Sequence, residues 1–357
     1  MKRFIDYGSI KQFRNVIRSV NHSARFTGLD DEGKPIYDND IKLPTLTVTG
    51  TEKIHGTNMG VSFSHPDGFW VQSRKNIITS EKDNAGCAFN AYSKDDEWLE
   101  IIFALALKYD INLHQNIITV YAEWCGGNIQ KNSAVSGLDK RAIVFEYFKV
   151  SPVNPDKDIP SKWLKTDVID WKPYNKSNIF NITDFPTWKY TIDFEQPLLS
   201  QNQMIHDVGV LEGNSLVGQK MGIDGNVGEG IVFTFEYKDV IYRFKAKGEK
   251  HSASKVKTLK PVDEAFEQKK IDFVNRVCTP ARLEQAWQET FGIENEKMLP
   301  DVKKTGDFLR AVHKDVIKEE SDIMVEQGLE PKMVNGMISK VARKWFMIEL
   351  DNYFLKG

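Results

Sequence analysis

The chain has 357 residues, 41% of them hydrophobic and 27% charged, with a formal net charge of −2. That balance belongs to a folded globular protein of two domains, or of one large domain with a smaller appendage, and excludes a disordered chain. No run of about 18 apolar residues is available to cross a bilayer, and near-neutral charge gives no sign of a globally basic nucleic-acid binder.

No apolar segment follows the basic start Met1-Lys2-Arg3, so secretion is not expected. Cys87, Cys125 and Cys278 are far apart and in no C-x-x-C pair, which fits a reducing, cytoplasmic compartment rather than a disulfide framework or a cysteine zinc site. Up to about residue 250 the chain is rich in β-branched and aromatic residues with turn residues between short runs. Residues 46–49, 59–63, 117–121, 143–148, 231–235 and 240–244 read as strands. Residues 97–109, with Trp98, Leu99, Ile101, Ile102 and Leu105, read as a buried helix. The stretch from about 150 to 200 carries six prolines and reads as a loop-rich insertion. Beyond about 261 glycine becomes sparse and apolar residues fall at helical spacing, with Pro280, Pro300 and Pro331 where helices would begin. The boundaries expected are therefore 1–255 for a mixed α and β domain and 261–357 for a small all-helical one.

Charge departs from neutrality in one place. Residues 238–260 hold Lys238, Arg243, Lys245, Lys247, Lys250, Lys255, Lys257 and Lys260 against only Asp239 and Glu249. A charge run is more often a solvated face than a site. Here, however, Lys245 and Lys247 sit two apart in a strand pattern and so share a face. Two ammonium groups side by side repel unless an anion lies between them, and phosphate is the natural candidate.

No Walker P-loop, G-x-G-x-x-G, H-E-x-x-H or G-x-S-x-G is present. Instead Glu52-Lys53-Ile54-His55-Gly56-Thr57-Asn58 occupies a turn between two predicted strands. A lysine there can act as a nucleophile, because amine attack requires the neutral form, which neighbouring cations favour. K-x-x-G alone says little, since it recurs at Lys53, Lys245 and Lys303. Order adds weight: Ser73-Arg74, Tyr121-Ala122-Glu123-Trp124, Val144-Phe145-Glu146, Glu229-Gly230-Ile231-Val232 and Phe244-Lys245-Ala246-Lys247 follow in turn.

This ordered set resembles the covalent nucleotidyltransferase superfamily of ligases and capping enzymes. More narrowly, it is similar to the phage RNA ligase 2 family of nick-sealing RNA ligases. The narrow likeness rests on the segment 52–58 and on Gly127-Asn128-Ile129-Gln130-Lys131-Asn132, with a weaker echo at Val274-Asn275-Arg276-Val277. It covers most of 45–350 and leaves 1–45 and 150–215 poorly matched. The resemblance implies an α+β fold: a nucleotidyltransferase domain of antiparallel sheets flanking an ATP cleft, then a small all-helical C-terminal domain. It implies ATP with Mg2+ or Mn2+, and RNA ends, above all a nicked duplex, acted on by a monomer without membrane partners. If the source is a phage, the host cytoplasm is where it would act.

Residue by residue, the resemblance makes Lys53 the group that becomes lysyl-AMP. Glu52 would read the adenine edge, Glu123 would hold the ribose, and Phe145 would stack on the base. Asn58 and Arg74 would engage phosphates, Glu229 would stand near Lys53 and a divalent metal, and Lys245 with Lys247 would grip the α-phosphate. His55 would serve the RNA-joining steps. The chain departs from the family pattern at Glu146, where Asp is expected, and at Thr234, where Lys is expected. A further Lys about fifteen residues before Glu229 is unmatched, Lys220 being nearer.

Bland readings stand beside these. Phe145 alone would more often be core, Arg74 could be a surface residue, His55 a satisfied loop histidine, and Asp224 a turn residue. Glu123 and Glu146 are harder to dismiss, because acids in apolar strands need a partner or a ligand. The competing functions are a DNA ligase or capping enzyme, which the helical rather than strand-rich tail disfavours, and an idle RNA-end-binding protein that keeps the ATP pocket.

Overall fold

A computed structural model describes residues 2–127, 129–155, 159–223, 227–248, 261–291 and 300–356. Asn128, Asp224, Glu249, Lys250, Lys255, Lys257 and Lys260, all used above, lie outside the described residues. The chain forms two compact units, Met1–Ala24 with Leu43–Lys260, and Arg25–Lys42 with Pro261–Gly357. The class is α+β with antiparallel sheets and a helical C-terminal region.

Helix α1 (Phe13–Arg25) leads into a hairpin, β1 (Phe26–Leu29) and β2 (Pro35–Tyr37). There follow β3 (Thr45–Glu52), β4 (Thr57–Ser64), β5 (Gly68–Ser73), β6 (Ile77–Ile78), α2 (Cys87–Tyr92), α3 (Asp95–Lys108) and β7 (Asn116–Cys125). Then come β8 (Arg141–Val144), β9 (Tyr147–Pro152), β10 (Lys162–Lys165), β11 (Ile179–Asn181), β12 (Trp188–Asp193), α4 (Gln201–Gly213), α5 (Leu216–Lys220), β13 (Gly230–Tyr237) and β14 (Val240–Lys247).

Two sheets make the first unit. One runs β10-β9-β7-β4-β5-β6, with β8 pairing both β7 and β11; the other runs β12-β3-β13-β14. Helix α3 buries Trp98, Ile101, Ile102 and Leu105 on the larger sheet, against Val61, Val71, Val120 and Trp124. Helix α1 places Phe13, Val16, Val20 and Ala24 on the smaller sheet, at the three- and four-residue spacing of one helical face. All three cysteines are buried and unpaired.

The structure alters two expectations from sequence. Residues 150–200 are not a loop-rich insertion: they supply β10 and β12 to the two sheets, and α4, which follows, sets Met204, Val208 and Leu211 in the core. The prolines fall between short elements there, or at the first position of a helical turn (Pro197), so they punctuate the structure without preventing it. The run 143–148, read as one strand, is two. β8 ends at Val144, β9 begins at Tyr147, and Phe145–Glu146 form the break, held by Phe145 N–H donating to Tyr121 O (2.9 Å) and Thr166 N–H donating to Glu146 O (2.9 Å).

The second unit contains α6 (Glu264–Val277), α7 (Pro280–Phe291), α8 (Thr305–Glu326) and α9 (Pro331–Lys356), besides the β1–β2 hairpin. Pro280 and Pro331 stand at the first helical position, where a missing N–H costs nothing. Trp287, Phe308 and Phe346 fill its core. Arg282 ties α7 to α8 by donating to Asp315 (2.7 Å) and Glu320 (2.8 Å). Among the described residues no helix is long and apolar enough to cross a membrane.

Candidate active site

β3 belongs to the smaller sheet and β4 to the larger, so residues 53–56 are where the chain crosses from one sheet to the other. That places Lys53 at the seam. Its N–H donates to Gly230 O (2.7 Å), which fixes it against the start of β13. Gly56 completes the crossing: a Cβ there would lie 2.3 Å from Trp124 O and 2.9 Å from Cys125 Cβ, so no larger residue fits without displacing backbone. Its N–H donates to Glu123 Oε1 (3.1 Å).

The remaining side chains arrive from the elements that flank this seam. Asn58 on β4 lies directly across from Glu123 on β7. Arg74 follows the end of β5, and Glu229 immediately precedes β13. On β14, Tyr242, Phe244 and Ala246 are buried while Arg243, Lys245 and Lys247 are only partly so, the alternation of a strand with one face in the core. The shared face expected for Lys245 and Lys247 is therefore present, and Arg243 extends it by one step.

Lys53, His55, Asn58, Arg74, Glu123, Phe145, Glu229, Lys245 and Lys247 line one cleft of about 310 Å3. Deeper lies an adjoining cavity of about 60 Å3, walled by Phe145, Glu146, Ile182, Val232, Thr234 and Arg243 together with Lys53, Glu123 and Glu52. The outer space is charged and the inner one largely apolar, a division that suits a molecule with a phosphate end and an aromatic end.

Glu229 organises the charges. Its Oε2 meets Lys53 Nζ (2.7 Å) and His55 Nδ1 (3.0 Å), and its Oε1 meets Lys247 Nζ (2.5 Å); the carboxylate itself is 2% exposed. Burial alone would raise its pKa. The hydrogen bond from His55, the charge of Lys53 and the hydrogen bonds from Lys247 and Lys53 outweigh burial and hold the carboxyl well below the usual range. Glu123 shows the opposite balance: burial, only partly offset by Lys53, pushes it up to about 7. Lys245 has no ion-pair partner among the described residues. Its pKa is lowered by burial and by the neighbouring Lys247, Lys53 and Arg74. A cation crowded by cations is the group with most to gain from an arriving phosphate.

Glu52 is placed differently from the others. Ser215 Oγ donates to its Oε1 (2.5 Å) and Val217 N–H to its Oε2 (2.9 Å), so the buried carboxyl spans to the start of α5. Lys220, at the other end of α5, lines neither space.

Other residues that wall these spaces were not among the expected site residues, Tyr7, Ile10, Glu146, Thr234 and Arg243 among them. Arg243 was legible, two residues before Lys245 on the same strand face. Thr234 drew notice only as a departure from the family pattern, and Glu146 both as a departure and as an acid in an apolar strand. Tyr7 and Ile10 carried no local signal. They belong to an N-terminal strap, residues 2–11. Gln72 Nε2 and Tyr121 Oη donate to Ile5 O (2.6 Å each), anchoring the strap to the larger sheet, and Lys11 exchanges backbone bonds with Arg243 and Lys245 on the smaller one. Tyr7 packs against Phe145 (5.2 Å between centroids), and the Arg243 guanidinium lies over the rings of Trp163 (4.3 Å) and Tyr7 (5.1 Å).

Among the described residues no group of three His, Cys, Asp or Glu could hold a metal ion by itself. Glu229 and Glu123 are the carboxylates that reach the outer cleft. They fit a divalent ion that takes most of its ligands from phosphate oxygens and water, as Mg2+ ordinarily does.

A family model described as RNA ligase matches residues 46–247. Among solved structures, the Naegleria gruberi RNA ligase with PPi is similar at 13% identity with a TM-score of 0.40. A mutant of that enzyme with AMP and Mn matches at 15% and 0.42, and another with ATP and Mn at 14% and 0.43. Each match covers 70% of this chain and 58% of the other, so the chain spans well under two thirds of the length of the proteins it matches. No curated protein matches the chain.

Proposed function

The chain belongs to the RNA ligase family, and from that premise we propose that it is an ATP-dependent RNA ligase of the nick-sealing kind, working through lysyl-AMP. One observation carries the reading. The turn lysine expected to be the nucleophile stands in a cleft with Lys245, Lys247 and Arg74, next to a cavity with an aromatic wall. Cations beside an apolar slot are what an adenosine phosphate asks for.

In this reading Lys53 Nζ, once deprotonated and parted from Glu229, attacks the α-phosphorus of ATP. The P–N bond forms as the bond to pyrophosphate breaks. Glu229, held so far below the usual carboxylate range, is a poor base, and the amine proton leaves towards solvent along the open side of the cleft. Lys245, Lys247 and Arg74 take the charge spread over the phosphate oxygens, and Phe145 faces the base. A 5′-phosphate oxygen of RNA then displaces Lys53 from AMP, and a 3′-hydroxyl displaces AMP to close the phosphodiester. His55, bonded to Glu229, would serve these joining steps. A divalent ion would neutralise phosphate charge and keep the leaving group in line, held in part by Glu229. The nucleotide and metal named for the Naegleria gruberi structures are of the same class. A nicked RNA duplex is the substrate we favour, handled by a monomer. Three buried unpaired thiols suit the reducing cytoplasm.

The test is intact mass after incubation with ATP and Mg2+. One added AMP is expected on the native chain and none on Lys53→Ala, followed by sealing of a nicked duplex by the native protein alone. An adduct that persists in Lys53→Ala removes the nucleophile assigned here.

A further inference from the structure

We infer that Glu146, with Thr234 beside it, reads the Watson–Crick edge of the nucleotide base in this chain. The inference rests on the adenylyl-transfer reading of the cleft and adds what decides which nucleotide it accepts. Glu146 and Thr234 wall the inner cavity next to Phe145. The Thr234 hydroxyl donates to the Glu146 carboxyl, yet Glu146 Oε2 is buried with no hydrogen-bond partner. An unsatisfied buried oxygen is costly, and a base edge in the cavity would satisfy it. Glu52, the reader implied by family resemblance, has both oxygens taken by Ser215 and Val217.

The chemistry of the carboxyl then selects the base. Burial pushes Glu146 up to about 7, against the lowering influence of Lys165, Arg243 and the Thr234 hydrogen bond and with a raising contribution from Asp167. The phenols of Tyr7 and Tyr147, on the same wall, are themselves raised by burial and stay neutral in this range. A protonated carboxyl presents one donor and one acceptor side by side. That pair complements adenine, whose N6 donates and N1 accepts. An ionised carboxylate presents two acceptors and complements guanine, whose N1 and N2 both donate. Holding Glu146 protonated therefore favours ATP, and ionising it shifts preference towards GTP.

The experiment compares rates of covalent adduct formation with α-labelled ATP and GTP from pH 6 to 8.5, using the full chain, Glu146→Gln and Glu146→Ala. The ATP-to-GTP ratio cancels titration of the phosphates and of the nucleophile, which both nucleotides share. In the native chain the ratio should fall about tenfold per pH unit, following the proton on one carboxyl. Glu146→Gln keeps a donor beside an acceptor without a titrating proton, so its ratio should favour ATP and be flat with pH. Glu146→Ala should be flat with little preference, and the isosteric Gln variant decides if the Ala variant does not fold. A flat ratio in the native chain, or a Gln variant with the native slope, overturns the inference while leaving the ligase reading intact. A native chain labelled by neither nucleotide overturns both.

Discussion

Replacing Glu229 by Gln removes the carboxylate charge that contacts Lys53, His55 and Lys247. The side chain keeps its size, but its new amide group must face one of three donors with a donor. Removing one member of a buried ion pair costs about 3–5 kcal/mol. Lys53 and Lys247 are 18% and 30% exposed, so the lower end, about 3 kcal/mol, applies. At about 2–4 °C per kcal/mol for a domain of this size class, the melting temperature should fall by roughly 6–12 °C. Added ATP or pyrophosphate should recover more of that loss than it adds to the native protein, because the ligand's charge replaces the missing carboxylate. The dependence on acidity has a definite sign. A carboxyl with a depressed folded pKa contributes fully above the ordinary value near 4.3 and loses that contribution only as pH falls through its lower folded value. The gap between native and variant should therefore persist at pH 5 and narrow only in stronger acid. Differential scanning fluorimetry with and without ligand, at several pH values, reads all of this. Equal melting temperatures for the two proteins without ligand would refute the claim that Glu229 is the counter-charge of the cleft.

Gly56→Ala should abolish adduct formation and lower stability by several kcal/mol, since its Cβ meets Trp124 O at 2.3 Å; circular dichroism melts and the mass assay check it. Glu123, raised to about 7 in the folded state, makes stability decline as pH rises from about 4.3 to 7, because the folded chain holds its proton longer than the unfolded one. Glu123→Gln should flatten that part of the melting-temperature profile. Arg282→Ala leaves Asp315 and Glu320 without their shared partner and should cost about 2–4 kcal/mol, seen as a shift of the urea midpoint.

Much of the site was legible because its chemistry is local and ordered. Lys53, His55 and Asn58 come from one short segment and Lys245 with Lys247 from one strand face, and it was the order of these motifs along the chain, with the family resemblance it carries, that set them together. What was not legible depended on partners remote in sequence. Glu52 finds Ser215 and Val217 more than 160 residues away, and nothing near Glu52 announces them. The break between β8 and β9 was hidden because Ile143, Val144, Tyr147 and Phe148 are all good strand formers. An unbroken strand would send Phe145 and Glu146 to opposite faces, whereas the interruption lets both wall the same cavity. Prolines between 150 and 200 suggested loops, yet β12 pairs with β3 over six residues, because proline excludes only the position it occupies.

The strap of residues 2–11 also bears on the order in which the molecule assembles. Lys11 bonds to Arg243 and Lys245, so residues made early on the ribosome wait for a strand made more than 230 residues later. Closing so long a loop is slow, and its entropy must be met by contacts formed beforehand. The two sheets can form separately, but the wall that Tyr7 and Ile10 supply to the cleft is complete only when β14 has emerged. Nascent chains stalled before residue 240 should therefore contain folded strands and no nucleotide pocket.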